Sequence, residues 1–167
     1  MVKIDFTLIP RIENLKEKIL VGDRMKMSLT ADKTGALWYS FMLKRKAIKN
    51  NMGTVLYSIQ NYDDSYFINF NLNTEFEKWA VIEVSDPYNV PDGMEIFTLP
   101  EGLYAVFFYK GDVGMGGEIF RQIFETWLPD SGYVLDKRPH FEVLGKNYKN
   151  SSQDSEEEIW IPVQPKN

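Results

Sequence analysis

The one histidine of this 167-residue chain, His140, stands two residues from a glutamate in the run Pro139-His-Phe-Glu-Val-Leu. Positions two apart on a strand share a face, so His140 and Glu142 could work as an acid–base pair, with Tyr104 supplying a hydroxyl. No Gly-x-Ser-x-Gly elbow accompanies them, and Ser131 sits in an ordinary turn. Alternation puts Phe141 and Val143 on one side, and His140, Glu142 and Leu144 on the other. If Phe141 and Val143 pack under a helix, Glu142 faces a pocket. A carboxylate in an aromatic cleft is costly unless paired, so it holds its proton or awaits a cation. Delocalised cations suit such a site, because ring faces and carboxylate both attract them. The plainer readings of Glu142 are an exposed strand residue, or one bonded to a tyrosine hydroxyl for structural reasons.

Other residues could line the same site. Trp160 alternates with Ile159 and Ile161, so it faces away from them. It either stands beside Glu142 or covers a sheet surface. Tyr104 shares a face with Val106 and Phe108, and a tyrosine so placed needs a partner for its hydroxyl. Core with a satisfied hydroxyl is the first expectation and ligand contact the second. Trp38, Phe41 and Met42 form a stripe at helical spacing, which is core first and pocket wall second. Trp79 heads a strand with Val81 and Glu83 on its face, and Glu83 is either a second acid near the pocket or a surface residue. Gly111-Asp-Val-Gly-Met-Gly-Gly precedes a helix but lacks the Lys-Ser/Thr of a phosphate loop and the spacing of a dinucleotide fingerprint. Asp112 would repel phosphate, so this run reads as a flexible connection.

Composition narrows the chemistry. Without cysteine there is no disulfide, thiol nucleophile, zinc ribbon or iron–sulfur cluster. One histidine cannot build a multi-histidine metal site, and the expectation is no metal and no cofactor. With a net charge of −5 and no basic run, direct nucleic-acid binding is not expected. No apolar h-region opens the chain and no stretch reaches membrane-span length, so a cytoplasmic setting is expected. Hydrophobic residues at 44% and charged residues at 26% suit a folded domain, a composition too apolar for intrinsic disorder. Residues 151–158 carry four acids and no base, which reads as a solvated loop between strands.

The elements that must position these residues follow from periodicity. Residues 1–22 are ambiguous. Met25–Leu29 alternates as a strand, and Thr34–Lys49 has helical spacing with cations gathered in its last turns. Thr54–Gln60, Tyr66–Leu72 and Lys78–Val84 read as strands. After a Pro/Gly-marked loop come strands Glu95–Leu99 and Leu103–Tyr109, then a helix over Glu118–Leu128 ended by Pro129. Strands Pro139–Leu144 and Glu158–Val163 close the chain. Two helices and six to eight strands make an α+β fold, β-α-β-β in each half, with approximate halves 23–86 and 94–163 of one domain.

These residues resemble a known family. Leu99-Pro-Glu-Gly-Leu-Tyr-Ala-Val-Phe, Gly111, Trp127-Leu-Pro-Asp-Ser-Gly-Tyr, Arg138-Pro-His-Phe-Glu and Glu158-Ile-Trp-Ile-Pro-Val occur in an order similar to gyrase-inhibitory-protein-like small-molecule-binding domains. The same module forms the effector-binding domain of some AraC-type and MerR-type transcription regulators. The match is clearest over 95–163, and looser through Leu37-Trp38 and Trp79-Ala-Val-Ile-Glu-Val. The resemblance implies two βαββ repeats about a pseudo-two-fold axis, with a ligand pocket between them. It implies hydrophobic, often cationic aromatic ligands, and an acid in an aromatic pocket, matched here by Phe141-Glu142. The chain departs from the regulators in having no helix-turn-helix segment, so a stand-alone module without a DNA-binding domain is expected. The leading expectation is a non-enzymatic module that captures a hydrophobic, cationic compound. The alternatives are a small-molecule hydrolase in the same pocket, as some members of the resembled family are, and a gyrase-binding or other protein-interaction module.

Overall fold

The computed structural model describes residues 5–6, 8–110, 116–144 and 156–167. Ten strands are described: β1 (Asp5–Phe6), β2 (Arg11–Leu15), β3 (Lys18–Met27), β4 (Asn51–Asn61), β5 (Phe76–Val84), β6 (Glu95–Leu99), β7 (Gly102–Lys110), β8 (Tyr133–Leu135), β9 (His140–Leu144) and β10 (Glu156–Pro165). They pair in the order β1-β7-β10-β9-β4-β5-β3-β6, with β2 also on β7 and β8 on β10. Every pairing is antiparallel. Helix α1 (Thr34–Lys44) runs on through a 3-10 turn at Arg45–Ala47. Helix α2 (Gly116–Gln122) is prolonged by a π-helical turn at Ile123–Trp127 and a last turn at Leu128–Asp130.

The fold is α+β, built as two βαββ repeats: β3-α1-β4-β5 and β7-α2-β9-β10. β4 and β9 lie side by side at the centre, where Ser58 opposes Glu142 and Gln60 opposes His140. The outer strands are exchanged between repeats. β2 leads into β3 yet pairs with β7, and β6 leads into β7 yet pairs with β3. Only residues 16–17 and 100–101 make these passages, which draws the two edges together and curls the sheet into a half-barrel.

Alternation then decides what is buried where. One face forms the half-barrel interior, filled by Leu20, Tyr57, Ile59, Trp79, Val81, Tyr104, Val106, Phe141 and Trp160. The other face carries the helices. α1 sets Leu37 and Phe41, both fully buried, over Val21, Ala80 and Ile82. α2 sets Ile119 and Ile123 over Ala105, Phe107, Ile159 and Ile161. Each fully buried leucine, isoleucine or phenylalanine among them contributes about 1.5–3 kcal/mol.

Several expectations are corrected. β3 starts at Lys18, inside the stretch left ambiguous, because Leu20 and Val21 are buried on opposite faces and no alternation shows. Gly22 belongs there by necessity, since an added Cβ would run into the Ala80 carbonyl oxygen. Tyr66–Leu72 is not a strand. Asp63 and Ser65 carbonyls accept from Tyr66, Ile68 and Asn69 amides, and Asn71 Oδ1 accepts from the Asn73 amide. These short side-chain and turn bonds compete with a ladder. Pro129 does not end the helix but sits within its last turn. Leu128 N–H reaches the Ile123 carbonyl five residues back, and that wider turn gives the proline ring room. β10 begins at Glu156, two residues before the expected strand, and takes Glu156 and Glu157 out of the loop. Residues 111–115 and 145–155, with most of the glycine-rich and acidic runs, lie outside the described residues.

Candidate functional site

Between the two helices runs a strip of sheet that neither helix covers. It comprises β9, β4 and the start of β10. Six polar or charged residues are buried among the described ones, and four of them lie on this strip: Ser58, Gln60, His140 and Glu157. Glu142 lies among them, opposite Ser58 on β4 and Ile159 on β10, and keeps partial exposure. Lys78 is on the same face, opposite Gln60.

The roof over the strip is aromatic. It comes from the connection between β4 and β5, with Tyr62 and Tyr66 at 4.4 Å between ring centroids and Phe67 and Phe70 beside them. Phe67 stacks on His140 at 5.4 Å, Tyr62 meets it edge-on at 5.0 Å, and Phe124 of the π-helical turn approaches at 6.1 Å. A cleft of about 240 Å³ opens between Tyr62–Ile68 and Leu135–His140, with Asp63, Asp64, Asp136, Lys137 and Arg138 also lining it.

Burial controls the charges. His140, ringed by aromatics, has its pKa pushed down to about 3, so it is a neutral imidazole. Glu142 is pushed up by burial and drawn partly back by Lys78. Glu157 is pushed up to about 8, first by burial and then by the charge of Glu142, again opposed by Lys78. The Tyr62 hydroxyl is pushed far up, by burial first and by Tyr66 and Glu142 next. Lys78 donates to the Thr34 hydroxyl at 3.0 Å, and that hydroxyl donates to Asp32 at 2.6 Å. No hydrogen bond or ion pair within 4 Å holds either Glu142 or Glu157 among the described residues. Two carboxyls bonded to no cation among the described residues thus lie together on this strip, and burial favours the protonated form of each.

The sheet divides the residues expected at the site. Glu142 and His140 are together on the strip. Phe41 and Trp38 belong to the core under α1, where their rings meet edge-on at 5.6 Å. Trp160, Tyr104, Trp79 and Glu83 are on the other side. Trp160 lies opposite Phe141 and stacks on it at 5.1 Å. Tyr104 donates its hydroxyl to the Pro139 carbonyl at 2.8 Å, as the core reading required, and Glu83 accepts from Lys18 at 3.5 Å. The condition set for Glu142 is inverted. Phe141 and Val143 lie in the half-barrel interior, and the side that carries Glu142 is the side that carries the helices. His140 and Glu142 share a face without a hydrogen bond between them among the described contacts. Sequence reasoning missed Glu157, Lys78 and Tyr62. Glu157 had a signal, because it alternates in phase with Ile159 and Ile161.

A family model matches residues 11–163. The chain belongs to the integron-associated effector binding protein family, Cass2. Membership agrees with the resemblance to gyrase-inhibitory-protein-like effector domains. The transcriptional regulator BrlR of Pseudomonas aeruginosa is 27% identical over 162 residues, 92% of this chain and 57% of the regulator. A DNA gyrase inhibitor of Erwinia billingiae is 34% identical over 90 residues, 50% of this chain and 56% of the inhibitor. The chain thus spans a little over half the length of the regulator, and its match takes in a similar share of the inhibitor. The structure of SAV2435 bound to tetraphenylphosphonium superposes with a TM-score of 0.69 at 16% identity, covering 93% of each chain. At that identity the likeness is one of fold.

Proposed function

We propose that this chain is a small-molecule-binding effector module that takes up hydrophobic cations in the recess over β9, with Glu142 as the counter-charge. The observation that carries the reading is Glu142 itself, on the strip roofed by Tyr62 and its aromatic neighbours, raised in pKa and bonded to no cation among the described residues. Ring faces contribute area and attraction for a delocalised cation, and the carboxylate adds selectivity for charge. The fold neighbour solved with tetraphenylphosphonium, a bulky apolar monocation, supports that ligand class. His140 packs as a neutral aromatic wall, so it adds surface rather than acid–base chemistry.

The test is calorimetric titration with tetraphenylphosphonium and with a neutral aromatic of similar size, the ligand being checked afterwards by mass spectrometry. Saturable binding of the intact cation, lost in Glu142→Gln, supports the module. Breakdown of the ligand would make the chain a hydrolase. The stretch shared with the DNA gyrase inhibitor favours a second reading, direct binding to gyrase. Inhibition of supercoiling by the protein without any added small molecule would support it.

A further inference from the structure

Glu142 and Glu157 point from neighbouring strands onto the same strip. Glu142 lies opposite Ile159 and Glu157 lies opposite Leu144, so the two acids are diagonal neighbours across the β9–β10 pair. Such positions are roughly 7–8 Å apart along the sheet, within reach of two glutamate side chains. Glu157 is only 8% exposed, yet no hydrogen bond or ion pair holds it among the described residues. One ammonium, Lys78, acts on both carboxylates, and it is already bonded to Thr34. Two like charges so placed, with one shared cation, disfavour each other's ionisation.

We propose that Glu142 and Glu157 share a proton in the free protein, and that an entering monocation displaces it, so that cation uptake releases one proton to solvent. The inference rests on the cation-binding reading above and adds Glu157 as the residue that couples uptake to pH. The balance is simple. The protonated pair and a cation give the ionised pair holding the cation, and the proton goes to water. The raised affinity of both carboxyls for protons supports the starting state.

The remaining groups do not take over this role. His140 on β9 stays neutral down to about pH 3. Tyr62 and Tyr66 from the roof have raised pKa values and keep their protons. Tyr109 on β7 faces Glu157 across the β7–β10 pair, and from β4 the strip receives only the neutral Ser58 and Gln60. α2 turns Ile119 and Ile123 inward and carries Glu118, Arg121 and Glu125 outward, while Asp23 of β3 is tied to Lys44 at 2.8 Å and to Ser40 at 3.0 Å.

The experiment is calorimetric titration of tetraphenylphosphonium at pH 7 in two buffers of different ionisation enthalpy, repeated between pH 6 and 8. About one proton released per cation, and affinity rising up to tenfold per pH unit, are expected of the native sequence. Glu157→Gln should bind the cation with less proton release and a shallower pH dependence than the native sequence. Infrared spectra of the free protein at pH 7 supply a readout independent of the ligand, since a protonated-carboxyl band should be present in the native protein and weaken in Glu157→Gln. Binding without proton release, or no such band, overturns the exchange and leaves the binding reading standing. No binding by the native protein overturns both.

Discussion

Trp79 and Trp160 occupy corresponding places in the two repeats, each donating its indole N–H to the glutamate two residues before it. Trp79 bonds Glu77 at 2.6 Å and Trp160 bonds Glu158 at 3.2 Å. Each ring also lies under an arginine at 5.7 Å, Arg24 over Trp79 and Arg11 over Trp160, and each arginine is ion-paired to the same glutamate. The two clasps seal the half-barrel interior on the face turned away from Glu142. Replacing either tryptophan by phenylalanine should therefore lower stability by about 1–2 kcal/mol, from lost packing and a lost hydrogen bond. Cation affinity should stay within about twofold, since neither ring faces the recess. Calorimetric affinities and urea midpoints of both variants check this, and a tenfold loss of affinity would place these rings in the site.

Two buried groups set opposite pH limits on stability. Glu157 has a pKa near 8 when folded against an ordinary 4.5, so the folded chain holds a proton that the unfolded chain gives up. Its contribution is complete below about pH 4.5 and fades as pH rises towards 8. His140 has a pKa near 3 when folded against an ordinary 6.5, so the unfolded chain takes the proton first. Its contribution is complete above about pH 6.5 and fades as pH falls towards 3. Between these windows the slopes offset. Urea unfolding across pH should show a broad maximum near about pH 5–6, with slopes of at most about 1.4 kcal/mol per unit on either side. Glu157→Gln should flatten the alkaline limb alone. A stability that climbs steadily from pH 6.5 to 8 would contradict the assignment.

Arg138 is a structural pin whose neighbour is chosen for it. Its guanidinium lies over Tyr104 at 5.1 Å, bonds Asp136 at 2.8 Å and donates to the carbonyls of Leu103 and Val163. Gly102 has a φ of +153°, and an added Cβ would run into that guanidinium. Arg138→Met should lower stability by about 2–4 kcal/mol, because two carbonyls and a carboxylate lose their donor. Gly102→Ala should lower it by a similar amount alone, and by clearly less in the Arg138→Met background. Equal effects in both backgrounds would show that Gly102 answers to backbone conformation rather than to the arginine.

The fold class and the two βαββ repeats were readable because the helices carry clean stripes, Leu37 with Phe41 and Ile119 with Ile123, and because the strand segments are rich in β-branched and aromatic residues between turn signals. The site was half readable. Glu142 and His140 could be placed on one face from spacing alone, but which face met the helices depends on how β9 sits between β4 and β10. Long-range pairing fixes that, and local periodicity cannot express it. Phe141 and Trp160 were therefore split from or joined to Glu142 by a fact outside their own segments. The roof was misread for a different reason. Tyr66, Phe67, Ile68 and Phe70 have the composition of a strand, while the asparagines and aspartates around them bend the chain into turns. Glu157 was hidden by its company, since three consecutive glutamates look solvated even when the middle one alternates in phase with the core.

The most direct measurement compares Glu142→Gln with the native sequence for tetraphenylphosphonium and for a neutral aromatic of matched size, in alkaline buffer, which favours the ionised carboxyls. The change removes a charge and keeps the shape. Cation affinity should fall by about 1–3 kcal/mol, roughly 5- to 150-fold, while neutral binding stays unchanged. Equal loss for both ligands, or none for the cation, would contradict Glu142 as the counter-charge.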